Sequence, residues 1–265
     1  MNAETLLASY AQGERDFHKA ILIGAQLQGA DLNSINLNKA NLMNATLIQA
    51  NLSLAEMIEA NLINADIGHA NLRGADLTKA YLNGANLMGA SLNKAKLFST
   101  SMGGVNLIYG QLIGADIRQA NLTQSKLIGA NLSNANLQYA QLNNTNLIGA
   151  DLRGSMLLNV DFRGANLSGT LINDDTQLDP KWRVIWKISN HGGQKHDLTN
   201  ADLTEANLIG VNLKEANLKG ADLRGANLSG AFLTNAKVEN AKFKGAIGLS
   251  ENAKFDLKNR GAIFD

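Results

Sequence analysis

The sequence predicts an all-β solenoid wound around a narrow apolar core, and three observations carry that prediction. From Leu22 to Ile172 every fifth residue is large and apolar: 31 positions, 25 of them Leu, the others Met57, Ile67, Met102, Ile117, Phe162 and Ile172. Two residues before each stands a small residue, Ala in 22 of the 31, with Asn or Asp usually between them, as in Ala40-Asn41-Leu42 and Ala150-Asp151-Leu152. Gly fills the second position after the large residue in 12 of the 31 repeats, among them Gly74, Gly84, Gly129 and Gly164.

A five-residue period fits neither the ~3.6 of a helix nor the 2 of an unbroken strand. Within one repeat, though, the Ala and the Leu are two apart, so an extended backbone points both to one side and the Asn or Asp to the other. For the next Ala-Leu pair to face the same interior, the chain must turn once per repeat. Gly suits that corner because it carries no Cβ. A second block of ten repeats runs from Leu198 to Phe243 in a frame shifted by one, with Ala201-Asp202-Leu203 and Ala226-Asn227-Leu228 as examples. The same face resumes there at once, so the two blocks are expected to continue a single solenoid.

The repeated Ala-(Asp/Asn)-Leu-x-x resembles the pentapeptide-repeat family, with 41 copies over roughly 205 of the 265 residues; similar proteins occur in photosynthetic bacteria. The resemblance implies a right-handed quadrilateral β-helix with the central Leu and preceding Ala inside, four repeats to a coil. At ~4.8 Å between coils, 41 repeats make about ten coils and about 50 Å of solenoid. A core of stacked Leu and Ala leaves no pocket of small-ligand size.

The frame divides the chain into residues 1–19, an N-terminal cap; 20–172, the first block; 173–197, an insertion; 198–247, the second block; and 248–265, a C-terminal cap. An open β-helix end exposes unpaired backbone and needs such a cover. Residues 3–13 read as a short helix with Leu6, Leu7 and Tyr10 on its inner face and Gly13 as its stop. Phe255, Leu257 and Ile263 supply the apolar contacts of the C-terminal cover. In the insertion, Asp179-Pro180 is a helix start, Trp182, Ile185 and Trp186 (with Ser189) share a face as anchors, and Gly192-Gly193 ends the helix. Trp is also enriched at binding hot spots, which gives this helix a second reading as a partner-binding element.

Composition narrows the function. With 24 Lys and Arg against 23 Asp and Glu, and eight acidic against nine basic residues within Ala20–Ile172, nothing steers the chain to nucleic acid or an anionic membrane. Some members of the family mimic DNA and act on topoisomerases as inhibitors or protectors. Duplex DNA carries a negative charge every ~1.7 Å, so ~50 Å of mimic needs roughly 30 uncompensated charges, which the balanced charge here disfavours. There are no cysteines, no leader-like N-terminus and no apolar run of the ~20 residues that span a bilayer, so the expected setting is cytoplasmic, without membrane insertion. His191 and His196 flank a glycine turn beside Asp197, but at no metal-ligand spacing. No nucleophile elbow or phosphate loop is present, and acidic pairs such as Glu56 with Glu59 fall at exposed positions. The expectation is therefore no enzyme, no metal and no cofactor, but a protein-interaction scaffold or regulatory adaptor with a protein partner; a self-associating structural module or homo-oligomer is the remaining reading.

One line of residues is the candidate contact surface. With 20 residues to a coil, the exposed position after the centre stacks Ile48, Gly68, Met88, Ile108, Ile128 and Ile148, with Tyr109 beside them. Other outward residues, Asn93 for one, are expected to tolerate substitution.

Overall fold

Each repeat first closes a turn on itself. In the repeat centred on Leu42, the Ala45 N–H bonds the Leu42 C=O at 3.0 Å, and Asn44 takes a left-handed φ of 58°, as the third residue of a type II turn must. Leu54, Tyr109 and Tyr139 occupy the same corner position with φ between 56° and 62°. The Asn or Asp before the centre then has a physical reason: Asn41 Oδ1 accepts the Met43 N–H at 3.2 Å, pairing the one amide of the turn that no backbone carbonyl reaches.

The computed structural model describes residues 1–265, and the chain is a repeat β-helix. Its contacts divide into two compact units, Met1–Asp161 with Thr170–Gln177, and Phe162–Gly169 with Leu178–Asp265. No helix is long and apolar enough to cross a membrane.

In the first unit, parallel bridges join residues 20 apart, beginning with Asp16↔Asn36 and Ile21↔Asn41, so four repeats make one coil. The Asn41 N–H donates to Ala20 of the coil below at 2.8 Å, and the Leu42 N–H to Asn61 of the coil above at 2.7 Å. The central residues are buried from Phe17 to Leu157 and the small ones before them from Ile35 onward, while Ala20, Ala30 and Ile172 are half-buried. Thr100, Ser125 and Thr145 replace Ala in this interior; their hydroxyls donate to the carbonyls of Leu77, Met102 and Leu122 at 3.0, 2.8 and 3.0 Å, so these buried polar groups are satisfied.

Helix α1 (Ala3–Ala11) starts at Asn2, whose side chain accepts the Thr5 N–H. It lies against the first coil: Leu6 is fully buried and the Tyr10 hydroxyl donates to Asn33 C=O at 2.7 Å. Leu7 departs from expectation and is exposed, because it sits ~100° around the helix from Leu6.

In the second unit, α2 (Pro180–His191) begins with Pro180 in its first turn and ends at Gly192, φ 77°. Trp182 and Ile185 are buried and Trp186 is half-buried; the third buried residue is Ile188 rather than Trp186 or Ser189. Trp182 meets Phe162 edge-on with centroids 5.7 Å apart. The bridges resume at Asp197↔Asn217 and again span 20 residues, except the last, Lys242↔Ile263. Residues 248–265 were expected as a C-terminal cap without an assigned helix; there Glu251–Asn259 form α3, whose start is capped by the Ser250 side chain. Leu257 is its buried contact, whereas Phe255 is 69% and Ile263 41% exposed. Phe264 takes the place assigned to Phe255, stacking on Phe243 at 5.2 Å.

Candidate interaction surface

The coil period places the sequence-selected residues on one line of the first unit. Successive N–H to C=O bonds tie the line together: Gln49 to Gly68, His69 to Met88, Gly89 to Ile108, Tyr109 to Ile128 and Gly129 to Ile148, each at 2.9 Å. Met88 (39%), Ile148 (40%) and Tyr109 (59%) are exposed, and Ile48, Ile108 and Ile128 are half-buried. Gly68 interrupts the apolar series.

Beside this line runs a corner column of Gln49, His69, Gly89, Tyr109, Gly129 and Gly149. A Cβ added at Gly89 would lie 2.6 Å from His69 Nδ1, and one at Gly129 the same distance from Tyr109 Cε1. Both rings therefore lean along the corner onto the glycine of the next coil, where a Cβ would force them to move; the left-handed φ itself is met without glycine at Gln49, His69 and Tyr109 of the same column.

Several of the charges around the coils are paired with the opposite sign. Arg118 meets Asp116, Arg153 meets Asp151 and Arg224 meets Asp222, each at 2.6 Å; the acid precedes the centre and the Arg follows it. Other pairs run between coils, Lys96 to Asp76 at 3.1 Å and Lys39 to Glu59 at 3.6 Å. The hydrogen bonds from these arginines hold the Asp116, Asp151 and Asp222 carboxyls below the usual Asp range. Burial pushes Asp76 up, and bonds from Thr78 and Lys96 outweigh it to leave this carboxyl lowered as well.

No group of His, Cys, Asp and Glu is placed to hold a metal ion. His191 instead packs edge-on against Trp186, centroids 5.2 Å apart, while His196 Nδ1 lies 3.1 Å from Gln194 C=O.

Pentapeptide repeats, eight copies in all, match residues 20–57, 55–93, 85–124, 111–154, 130–169, 197–235 and 206–245. Solved structures are similar too. HetL, a pentapeptide repeat protein involved in heterocyst differentiation regulation from the cyanobacterium Nostoc sp. strain PCC 7120, is 33% identical over 93% of this chain and 97% of its own, with a TM-score of 0.39. The pentapeptide repeat protein Rfr23 from the cyanobacterium Cyanothece 51142 is 23% identical over 67% of this chain and 100% of its own, TM-score 0.20. Full-length QnrB1, a plasmid-mediated fluoroquinolone resistance protein, is 14% identical over 92% and 98%, TM-score 0.22. No curated protein matches the chain.

Proposed function

The chain belongs to the pentapeptide-repeat family, and from that premise we propose that it is a non-enzymatic protein-interaction scaffold. Its coils wind as a right-handed, four-sided β-helix; α1 covers the first coil of the first unit and α3 the last coil of the second. α2 anchors on its own unit through Trp182 and Ile185. The observation that carries this reading is the line of Ile48, Met88, Ile108, Ile128 and Ile148 with Tyr109 at its edge, an apolar strip where the outward positions are otherwise mostly polar. A strip of this kind reaches a few hundred Å², the range in which exposed apolar area tends to be functional. It forms the centre of an interface rather than all of one, since a standard interface takes ~800 Å² per partner.

The pairing of acids with bases within and between coils argues against imitation of a polyanion, because each such carboxylate is neutralised at contact distance. The test is Ile108→Lys with Ile128→Lys. Both side chains are half-exposed, so the double variant should melt close to the parent and lose partner binding or self-association. Retention of every association of the parent, by pull-down and light scattering, leaves the strip as nothing more than β-propensity.

A further inference from the structure

We infer that the strip is occupied by a second copy of this chain, lying side by side and antiparallel, with the two-fold axis between the Met88 and Ile108 rows. The inference rests on the scaffold reading and names its partner.

Spacing selects the class of partner. Rows of the strip follow one another every ~4.8 Å, the distance between hydrogen-bonded strands. An α-helix repeats its face every ~5.4 Å, so it drifts by about 3 Å over the five intervals of the strip, more than half a row. An extended peptide repeats its face every ~6.6 Å and loses register within two rows. A second β-solenoid has the same spacing, so row can meet row along the whole length, as paired sheets do in a steric zipper.

The register follows from the two-fold symmetry of an isologous contact. An axis between the Met88 and Ile108 rows sets Ile48 against the partner's Ile148, Gly68 against the partner's Ile128, and Met88 against the partner's Ile108. All six rows are then covered, and the gap at Gly68 meets a full side chain. In the corner column the same axis pairs Gln49 with the partner's Gly149, His69 with the partner's Gly129, and Gly89 with the partner's Tyr109. Every corner pair contains one glycine, so no two bulky residues collide.

Charge selects antiparallel over parallel. The outward column before the centre, on the flank of the strip, reads Thr46, Asp66, Asn86, Asn106, Lys126 and Asn146 and holds two charges. Asp66 accepts from the Gly68 N–H and from Asn86 at 3.2 and 2.8 Å and has no cation beside it. Lys126 is exposed, and the two are three rows, ~14 Å, apart within a chain. In the antiparallel register the column faces itself, which brings Asp66 level with the partner's Lys126 and Lys126 level with the partner's Asp66. A parallel pair would set Asp66 against Asn71 and Lys126 against Asn131, with both charges unanswered.

The test is sedimentation equilibrium of the full chain from micromolar to millimolar concentration. The parent should dimerise, and Lys126→Glu, which breaks no bond within the chain, should raise the dimer dissociation constant about tenfold or more by placing like charges together. Adding Asp66→Lys should recover most of that loss. Because Asp66→Lys also removes a turn acceptor, a second measurement is independent of it: in this cysteine-free chain, a mixture of the single variants Met88→Cys and Ile108→Cys, which have no second cysteine to pair with inside the chain, should oxidise to a covalent heterodimer, while a mixture of Met43→Cys and Ile63→Cys on a neighbouring face should not. A parent that stays monomeric, a Lys126→Glu variant that dimerises like the parent, or equal cross-linking of the two cysteine pairs overturns the inference. A monomeric parent that still binds a different protein through Ile108 and Ile128 overturns the second-copy partner and leaves the scaffold reading standing; a chain that does neither loses both.

Discussion

Asn38 Oδ1 accepts the backbone N–H of Ile58, one coil further on, at 2.8 Å. That amide would normally be paired by an Asn or Asp two residues before it, but Glu56 stands there, and its Oε2 instead accepts from Asn38 Nδ2 at 3.0 Å. The same exchange recurs where Ser101 and Gln111 replace the Asx residue: Asn83 takes the Gly103 N–H at 3.0 Å and Asn93 the Ile113 N–H at 2.9 Å. Asn38, Asn83 and Asn93, each following a centre, are thus substitute acceptors for a defective repeat one coil later.

Asn38→Ala should therefore cost about 1–2 kcal/mol, the penalty of an amide left without its partner. Glu56→Asn should restore most of it by returning the local acceptor, and chemical denaturation of the two single variants and the double variant measures the coupling. Additive losses in the double variant rule the exchange out. Asn93→Ala, expected from the sequence to be neutral, belongs to the same class and should lose about 1 kcal/mol.

Core substitutions should be larger. Leu87 and Leu132 are at most 1% exposed, and Leu→Ala at either should cost ~2–5 kcal/mol through lost burial and the cavity left behind. Outward Asn134→Ala should cost less, since its side chain makes no turn bond. Equal midpoints in urea for the inner and outer variants would contradict the assignment of faces.

These contrasts mark what was legible in the sequence. The inner columns were, because Ala and Leu recur two apart at a fixed period and both vanish from solvent. The exchange of acceptors was not, because it relates residues 20 apart through one side-chain oxygen and leaves no trace in the period. Helix faces were read less well. Periodicity put Trp186 with Trp182 and Ile185, but the buried third residue is Ile188, whose partner is a glycine that no apolar pattern reveals. Phe255, an expected apolar contact, faces solvent, while Phe264 stacks on the ring of Phe243.

Acid should weaken the fold through the Asp-Arg pairs. Asp116, Asp151 and Asp222 have carboxyl pKa values lowered in the folded chain, so their contribution is fully present above the unfolded value of ~3.9 and is lost as pH falls through the lowered folded values. Stability in urea should be flat from pH 7 to about 5 and decline below about 4 on this account. Asp116→Asn with Asp151→Asn should flatten that decline. An unchanged acid limb in the double variant would assign it to other carboxylates.

The sharpest test of the second unit lies at Gly193. It occupies the central, normally Leu, position of a repeat that the sequence frame does not show: its N–H donates to Asn212 C=O at 2.8 Å, Lys195 takes the corner φ of 61°, and the His196 N–H closes the turn on Gly193 C=O at 3.0 Å. The missing side chain is supplied from elsewhere. A Cβ at Gly193 would lie 2.7 Å from Leu213 Cδ2 and 3.3 Å from Ile188 Cγ2, so Leu213 from the next coil and Ile188 from α2 already fill the space. Gly193→Ala should then destabilise by ~1–3 kcal/mol through overpacking, although Ala is the better residue in most backbone settings. Ile188→Ala alone should cost ~2–5 kcal/mol by opening that space. Together the two should cost less than their sum, because the added methyl enters the room that Ile188 vacates. Strict additivity in thermal and urea denaturation would mean that α2 does not complete this coil.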